Sequence, residues 1–314
     1  MIVTATISIN SGVGLGAIDG AARRLDDAGL SALVLDEGGR AGAFEATTLA
    51  GYLARRTRQI GLVPAGSALY GFPYHLARRL ATLDHLTAGR AGWLIRSATL
   101  DHETSAYDWR SPGHPGAEVA RASEFVSIAL ALWDSWEDGA ERPDKVTGDF
   151  KDDSRIHAIN HDSPAFLVRG PLDVPRSPQG RPTLFVTVAG PEDVEYAATV
   201  ADVITVDGAA DLVANVRDAI DRAGRSDAVR MLVRLAPGTS VTDPAVFATM
   251  AGDLVDTLGV SGVDVADDGS LAWSHWLAEA TARLIEEPGS LSPPATLAHS
   301  LGLTDHHFRD KRAA

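Results

Sequence analysis

The 314-residue sequence has no cysteine, which excludes disulfides, zinc-thiolate sites and thiol nucleophiles. It also lacks an apolar run long enough to cross a bilayer, and the basic and apolar regions of a secretory leader. We therefore expect a cytoplasmic protein. The sequence shows no P-loop, no serine nucleophile elbow and no GxGxxG turn after its first strand, which disfavours three common kinds of nucleotide-binding and hydrolytic site.

Positive charge is scarce, with 28 lysines and arginines against 42 aspartates and glutamates and a formal net charge of −14. Because like charges repel, this balance disfavours binding to nucleic-acid backbones and to anionic membrane surfaces. An anionic ligand would need local positive charge or backbone N–H groups in compensation. Hydrophobic residues make up 45% of the chain, which is enough for a large core.

Short apolar segments alternate strictly with amphipathic ones, in eight strand–helix pairs. The predicted strands are Ile2–Ile9, Ala32–Leu35, Ile60–Val63, Ala91–Ile95, Thr183–Val188, Asp202–Val206, Val229–Leu235 and Gly262–Val265. The predicted helices lie near 15–28, 44–56, 73–86, 116–134, 191–200, 209–223, 243–258 and 273–286. Such alternation implies parallel strands, and eight repeats close an α/β fold of the (β/α)₈ TIM-barrel type. An open doubly wound sheet is the alternative, which the missing GxGxxG turn disfavours.

One polar segment rich in proline, glycine and aspartate, at about 137–181, interrupts this alternation between the fourth helix and the fifth strand. A segment of this length inside a compact domain is typical of a functional lid or an ordered insertion. We therefore predict a single barrel over residues 1–287 that carries the insertion, followed by a C-terminal tail at 288–314. The tail is expected to hold a short docking helix and a frayed end.

In a TIM barrel the functional site lies at the C-terminal ends of the strands. Polar residues at those ends include Asp36 after the second strand, Ser67 after the third, and Arg96 and Ser97 after the fourth. Asp36 could equally bond to the turn that follows it, and for the two serines hydrogen bonding to a turn is the more frequent role. The Arg96 guanidinium needs a partner in a barrel mouth, because an unpaired buried charge is very costly. We favour an ion pair with Asp36 over an anionic substrate as that partner.

His157 and His161 are four residues apart, so a helix would place both imidazoles on one face as metal ligands. The segment carries no strong helix signal, and His306 and His307 in the tail are weaker candidates. We therefore expect no metal site.

Three long stretches carry a family resemblance: residues 73–93 (PYHLARRLATLDHLTAGRAGW), 132–138 (LWDSWED) and 166–182 (FLVRGPLDVPRSPQGRP). They resemble the flavin-dependent monooxygenases related to nitrilotriacetate and dibenzothiophene-sulfone monooxygenases, within the luciferase-like superfamily. The resemblance covers residues 1–235 and fades afterwards, and the chain looks shorter than these relatives. It implies a TIM barrel, a dimer, reduced FMN from a separate flavin reductase, and a small organic substrate of unspecified class.

The resemblance also implies cofactor-binding positions. Asp36 stands where such proteins place an acid beside the isoalloxazine ring, and Ser67 also fits the family pattern. An asparagine and a threonine after the family's fourth strand are replaced by Leu94 and Arg96, and Ser97 follows. A histidine that reaches the phosphate in the family falls one place away from His114.

The strongest departure follows the fifth strand, where the family forms a phosphate cradle from small residues and a Gly-Arg pair. Gly190 is retained there, but the next residues are Pro191, Glu192 and Asp193. A helix N-terminus attracts anions through its free N–H groups and its dipole. Proline removes one donor, and the two acids supply the negative charge internally. One pair of like charges about 4 Å apart repels by roughly 4 kcal/mol at an effective dielectric near 20, so the sequence predicts impaired phosphate binding.

Two functions are consistent with these observations. The first is a luciferase-like flavin-dependent monooxygenase or oxidoreductase, with its FMN phosphate moved towards His114 or Arg96, or with a related deazaflavin in place of FMN. The second is a degenerate, flavin-free barrel. Such a barrel would act as a binding or structural subunit, in a homodimer or in a heterodimer with an active relative, or as a cofactor-independent enzyme. No catalytic residue is specified by the sequence.

Overall fold

Eight parallel strands close into a barrel in this computed structural model, which describes residues 1–9, 12–37, 44–97, 116–236, 243–266, 271–284 and 296–304. The strands are β1 (Ile2–Ser8), β2 (Ala32–Asp36), β3 (Gly61–Ser67), β4 (Gly92–Arg96), β5 (His161–Asp162), β6 (Leu167–Val168), β7 (Thr183–Val188), β8 (Val203–Val206), β9 (Arg230–Leu235) and β10 (Gly262–Ala266). All except β5 and β6 form the barrel in chain order, and β10 pairs with β1 to close it. The predicted (β/α)₈ architecture is confirmed.

Helices follow the barrel strands and cover the outside of the barrel, except for the last one, which lies at the N-terminal ends of the strands. They are α1 (Leu15–Asp27), α2 (Ala46–Ala54), α3 (Pro73–Thr87), α4 (Ala117–Trp133), α5 (Val194–Val200), α6 (Ala210–Arg222), α7 (Pro244–Leu258), α8 (Trp273–Leu284) and α9 (Leu297–Ser300). Within the described residues, no helix is both long and apolar enough to span a membrane.

Two element boundaries differ from the predicted ones by more than two residues. The third strand continues through Pro64 to Ser67, and Pro64 still lies in register with Leu35 of β2. Proline reads as a strand break because it lacks an N–H group, but the barrel neighbours on both sides hold this strand in place. The predicted helix at 191–200 divides into a 3₁₀ turn at Pro191–Asp193 and α5, which begins at Val194.

The barrel interior is apolar near the N-terminal ends of the strands and is closed there by α9. Leu297 and Ala298 of α9, with Leu301, belong to the same buried cluster as Val34, Val63 and other inward-facing strand residues. At Gly61, the first residue of β3, an added Cβ would overlap the Leu297 side chain, so glycine permits this close approach. The chain beyond residue 287 therefore contributes to the barrel core.

The segment between α4 and β7 is ordered and is attached to the barrel by a buried hydrogen-bond network. Gln179 Nε2 donates to Asp84 Oδ1 at 2.6 Å and to the Ala91 carbonyl at 2.8 Å, and Ala91 N–H donates to Asp84 Oδ1 at 3.1 Å. Burial raises the pKa of Asp84. The segment also holds the antiparallel β5–β6 hairpin, which the sequence analysis did not predict.

Candidate functional site

The C-terminal ends of neighbouring strands bring most of the predicted site residues onto one arc of the barrel mouth. Ser67 of β3 lies in register with Arg96 of β4, and Asp36 ends the adjacent strand β2. Gly190 follows β7, which pairs with β4 on the other side. Ser97 comes directly after β4 and is half-buried. The predicted position His114 lies outside the described residues.

Arg96 forms ion pairs with two carboxylates at this mouth. Its Nη1 lies 3.9 Å from Asp36 Oδ1, and its Nη2 lies 3.6 Å from Glu37 Oε2, while 14% of the side chain is exposed. Glu37 Oε1 also accepts the Ala46 N–H at 2.9 Å, at the start of α2. The expected pair with Asp36 is therefore present. Glu37 is a second partner that the sequence analysis did not identify as one, although it adjoins Asp36 in the chain.

Ser67 bonds to the turn that follows its strand. Its Oγ accepts the N–H groups of Leu69 at 3.1 Å and Tyr70 at 3.4 Å. This is the turn-stabilising role that the sequence left open for this serine. A hydroxyl that accepts hydrogen bonds can still donate its own hydrogen, so Ser67 is able to donate a hydrogen bond to a ligand carbonyl in the mouth.

A pocket of about 310 Å³ opens between the ends of β2, β3 and β4 and the start of α3. Its walls combine charged and aromatic side chains, among them Glu37, Ser67, Tyr70, His75, Arg96 and Phe125. This volume lies at the lower end of the range of small-molecule sites, and a mixed polar and apolar lining is typical of such sites. The pocket therefore suits a small organic molecule.

A second charged network lies across the mouth on β9, β10 and β1. Arg234 donates to Asp264 Oδ2 from Nε at 3.0 Å and from Nη2 at 2.9 Å. The Asp264 carboxylate is buried and also accepts the hydroxyls of Thr4 at 2.7 Å and Thr6 at 3.0 Å. Nη1 of the same arginine lies 3.6 Å from the half-exposed Asp207. The sequence analysis did not pair Arg234 with Asp264, although the two residues lie in register on neighbouring strands.

The turn after β7 is occupied by its own acidic side chains. Both carboxylate oxygens of Glu192 lie 2.5 Å from the position that a Cβ on Gly190 would take. Asp193 Oδ2 accepts the Ala189 N–H at 3.3 Å. Pro191 has no N–H group to offer a ligand. These contacts place carboxylates at the turn where the sequence analysis located the impaired phosphate cradle.

The two histidines of the insertion bond to different glutamates. His157 Nε2 lies 2.6 Å from Glu137 Oε1, and His161 Nε2 lies 2.7 Å from Glu124 Oε1. Burial alone would raise the pKa of Glu124, but hydrogen bonds from Ser163 and His161 lower it overall. His161 lies in β5, not on a helix. In the part of the chain that the structure describes, no three histidine, aspartate or glutamate side chains group as metal ligands.

Comparison with known families shows to which family this barrel belongs. The family model described as luciferase-like monooxygenase matches residues 3–303, nearly the whole chain. The chain belongs to the luciferase-like monooxygenase family. A nitrilotriacetate monooxygenase component A from Aminobacter aminovorans is 43% identical over 164 residues, and an N-acetyl-S-(2-succino)cysteine monooxygenase from Bacillus subtilis (strain 168) is 40% identical over 161 residues. Each alignment covers 51% of this chain and 36% of the relative, so the matched region spans about a third of these curated proteins.

Solved structures agree with the family assignment at the level of the fold. A long-chain alkane monooxygenase superposes with a TM-score of 0.86 at 19% identity, covering 98% of this chain and 99% of the other. A riboflavin lyase, solved with modified FMN and the substrate riboflavin, superposes with a TM-score of 0.83 at 20% identity, covering 98% and 97%. The luciferase-like TIM barrel and the predicted family are thus confirmed.

Proposed function

We propose that the protein is a flavin-dependent monooxygenase that oxidises a small organic substrate at the mouth of its barrel. Reduced flavin comes from a separate flavin reductase in this proposal. The family match over residues 3–303 carries it, because that match spans every strand that contributes to the mouth. When bound, a reduced flavin supplies the electrons that activate oxygen, and the protein positions the reactants and excludes water.

The pocket beside β2, β3 and β4 is the proposed active site, which receives the flavin ring and the substrate. Tyr70 and Phe125 supply apolar wall, and Arg96 supplies oriented donors. Because Asp36 and Glu37 lie within 4 Å of that guanidinium, its charge is already compensated. This balance supports a neutral, polar substrate over a strongly anionic one.

An FMN phosphate does not fit the turn after β7. Glu192 and Asp193 hold carboxylates against Gly190 and Ala189, where a phosphate seated on the turn would need N–H donors and space. A dianion placed there would meet like charges instead. No step of the proposed reaction therefore depends on a phosphate bound at this turn, and Asp36, Ser67 and Arg96 are the positions proposed to face the flavin ring.

The same turn favours a second candidate function, a flavin-free barrel. In that case the protein is a binding or structural subunit, or an enzyme that needs no cofactor. The specific observation in its favour is the Glu192 carboxylate lying over Gly190. This candidate and the flavin-dependent one differ in a single property, which is whether the mouth binds an isoalloxazine ring.

The proposed assembly includes partners. We propose a dimer, either of identical chains or with a related subunit, and a flavin reductase as the source of reduced cofactor. The name of the Aminobacter relative, component A of its monooxygenase, supports a multi-component system for this branch of the family.

Anaerobic titration of the purified protein with reduced FMN and with reduced riboflavin, followed by the fluorescence of its six tryptophans, tests the proposed function. Saturable quenching by at least one of the two flavins is expected, with a Kd in the micromolar range, about −8 kcal/mol. Lack of binding of both up to about 1 mM, which corresponds to roughly −4 kcal/mol, would contradict flavin dependence and favour the flavin-free barrel.

A further inference from the structure

The backbone of the turn after β7 has few N–H groups to offer a ligand. The Ala189 N–H donates to Asp193 Oδ2, and the Asp193 N–H donates to the Gly190 carbonyl at 3.3 Å. Pro191, between them, carries no N–H group. Of the five backbone nitrogens from 189 to 193, two already donate a hydrogen bond and one carries no hydrogen. Three of the five are therefore not available to donate to a ligand.

The space in front of this turn is also filled. Glu192 folds back so that Oε1 and Oε2 both lie where a substituent on Gly190 would stand. A ligand oxygen approaching the glycine would take the same space. Glu192 is exposed and Asp193 is half-buried, so neither carboxylate is removed from solvent. The Glu192 carboxylate lies in this space and carries the charge sign that repels phosphate.

The rest of the mouth has a different character. Arg96 and Ser67 lie on neighbouring strands beside a pocket with aromatic walls, and a flat uncharged ring needs hydrogen-bond donors and apolar surface of this kind. Ring recognition and tail recognition are thus separated in this protein. The residues that suit the ring are present on β3 and β4, whereas those that suit a charged tail are absent from the described turn after β7.

We infer that this chain binds flavin through its ring alone and gains no affinity from the phosphate, so that its flavin ligand is one with an uncharged tail, of the riboflavin class. The inference rests on the proposed flavin-dependent function. It is more specific than that function, because it states which chemical form of flavin the mouth accepts. Glu192 and Asp193 are the specificity-determining residues in this account, and they act by excluding a dianion.

The wild-type protein supplies the primary test. The Kd values of reduced riboflavin and reduced FMN are measured side by side under anaerobic conditions. Riboflavin is expected to bind as tightly as FMN or more tightly. FMN binding that is more than about threefold tighter than riboflavin binding, which is about 0.7 kcal/mol, would overturn the inference and leave the proposed function standing. Failure of both flavins to bind would overturn the proposed function itself.

A double variant tests the cause. Glu192→Gln combined with Asp193→Asn keeps the shape of the turn and removes both charges, so FMN should bind about tenfold more tightly than to wild type while riboflavin affinity stays unchanged. Glu195→Gln is the matched control, because its carboxylate lies on α5 and pairs with Arg222 at 2.5 Å, away from Gly190. Equal FMN affinity in the double variant and in wild type would show that these carboxylates do not exclude the phosphate. The wild-type comparison holds even if the double variant does not fold.

Discussion

The guanidinium of Arg234 and the carboxylate of Asp264 lie side by side on β9 and β10, joined by two hydrogen bonds at 2.9 and 3.0 Å. The parallel register of the two strands places their Cα atoms opposite each other. Hydroxyls of Thr4 and Thr6 complete the bonding of the buried carboxylate. This pair lies on the side of the mouth opposite β3. Its contribution to stability can be tested without any flavin.

Removal of the Asp264 carboxylate should destabilise the barrel strongly. Asp264→Ala leaves the largely buried Arg234 guanidinium without its main partner, and breaking a buried pair in this way costs about 3–5 kcal/mol. Urea denaturation followed by circular dichroism measures the free energy of unfolding. Asp207→Asn is the control: its side chain is 52% exposed and lies 3.6 Å from the same arginine, so a change within about 0.5 kcal/mol is expected. A loss below about 1 kcal/mol for Asp264→Ala would contradict the account of this network.

The contribution of α9 to the core can be measured with one truncation. Leu297 is 1% exposed and packs among inward-facing strand residues, so Leu297→Ala should cost about 2–5 kcal/mol of unfolding free energy. His299→Ala, on the exposed side of the same short helix, should change stability by less than about 0.5 kcal/mol. Equal stabilities for the two variants would mean that α9 does not close the barrel in solution.

The buried Asp84 should make stability depend on pH. Its folded-state pKa is raised by burial above the ordinary value of 3.8, so the folded chain holds this proton more tightly than the unfolded chain does. Relative to Asp84→Asn, the wild type should therefore be most stable near and below pH 3.8 and should lose that advantage as pH rises through the folded pKa.

The pH effect is checked by urea denaturation of wild type and Asp84→Asn at several values between about pH 4 and 7. Asp27→Asn, at an exposed position paired with Arg58, corrects for the general change in charge. A stability of wild type relative to Asp84→Asn that increases as the pH rises would contradict this account.

Arg96 is expected to matter for ligand binding. Arg96→Gln removes a cation beside the proposed ring site and leaves Asp36 and Glu37 uncompensated, so flavin affinity should fall about tenfold. Arg58→Gln is the control, because this exposed arginine pairs only with the exposed Asp27 among the described ion pairs. Anaerobic fluorescence titration reports both. Unchanged flavin affinity in Arg96→Gln would remove this residue from the proposed site.

The periodicity of the sequence was sufficient to predict the architecture and the strands that carry the mouth. The strict alternation of apolar and amphipathic segments predicts parallel strands, and the barrel has them. Because an unpaired buried charge is very costly, Arg96 was expected to have a partner, and the structure shows Asp36 and Glu37 in that place. The main local difference is the third strand, which was predicted to end at Val63 and continues through Pro64 to Ser67 because its barrel neighbours hold it in place.

Contacts between residues far apart in the chain could not be predicted from local sequence patterns. Arg234 and Asp264 are 30 residues apart, and the sequence analysis did not use the register that joins them. The sequence analysis expected a docking helix in the tail, but the packing of α9 against inward-facing strand residues depends on contacts across the whole chain. The sequence itself shows the acids at the turn after β7. The conformation that brings the Glu192 carboxylate close to Gly190 could not be predicted from the sequence pattern.

An experimental structure of the protein soaked with FMN would test most directly the claim that the mouth recognises a flavin ring but not its phosphate. We expect density for the isoalloxazine ring beside Ser67 and Arg96, with the phosphate directed away from Glu192. A phosphate seated on the backbone amides of residues 190–193, with the Glu192 side chain displaced, would contradict the account.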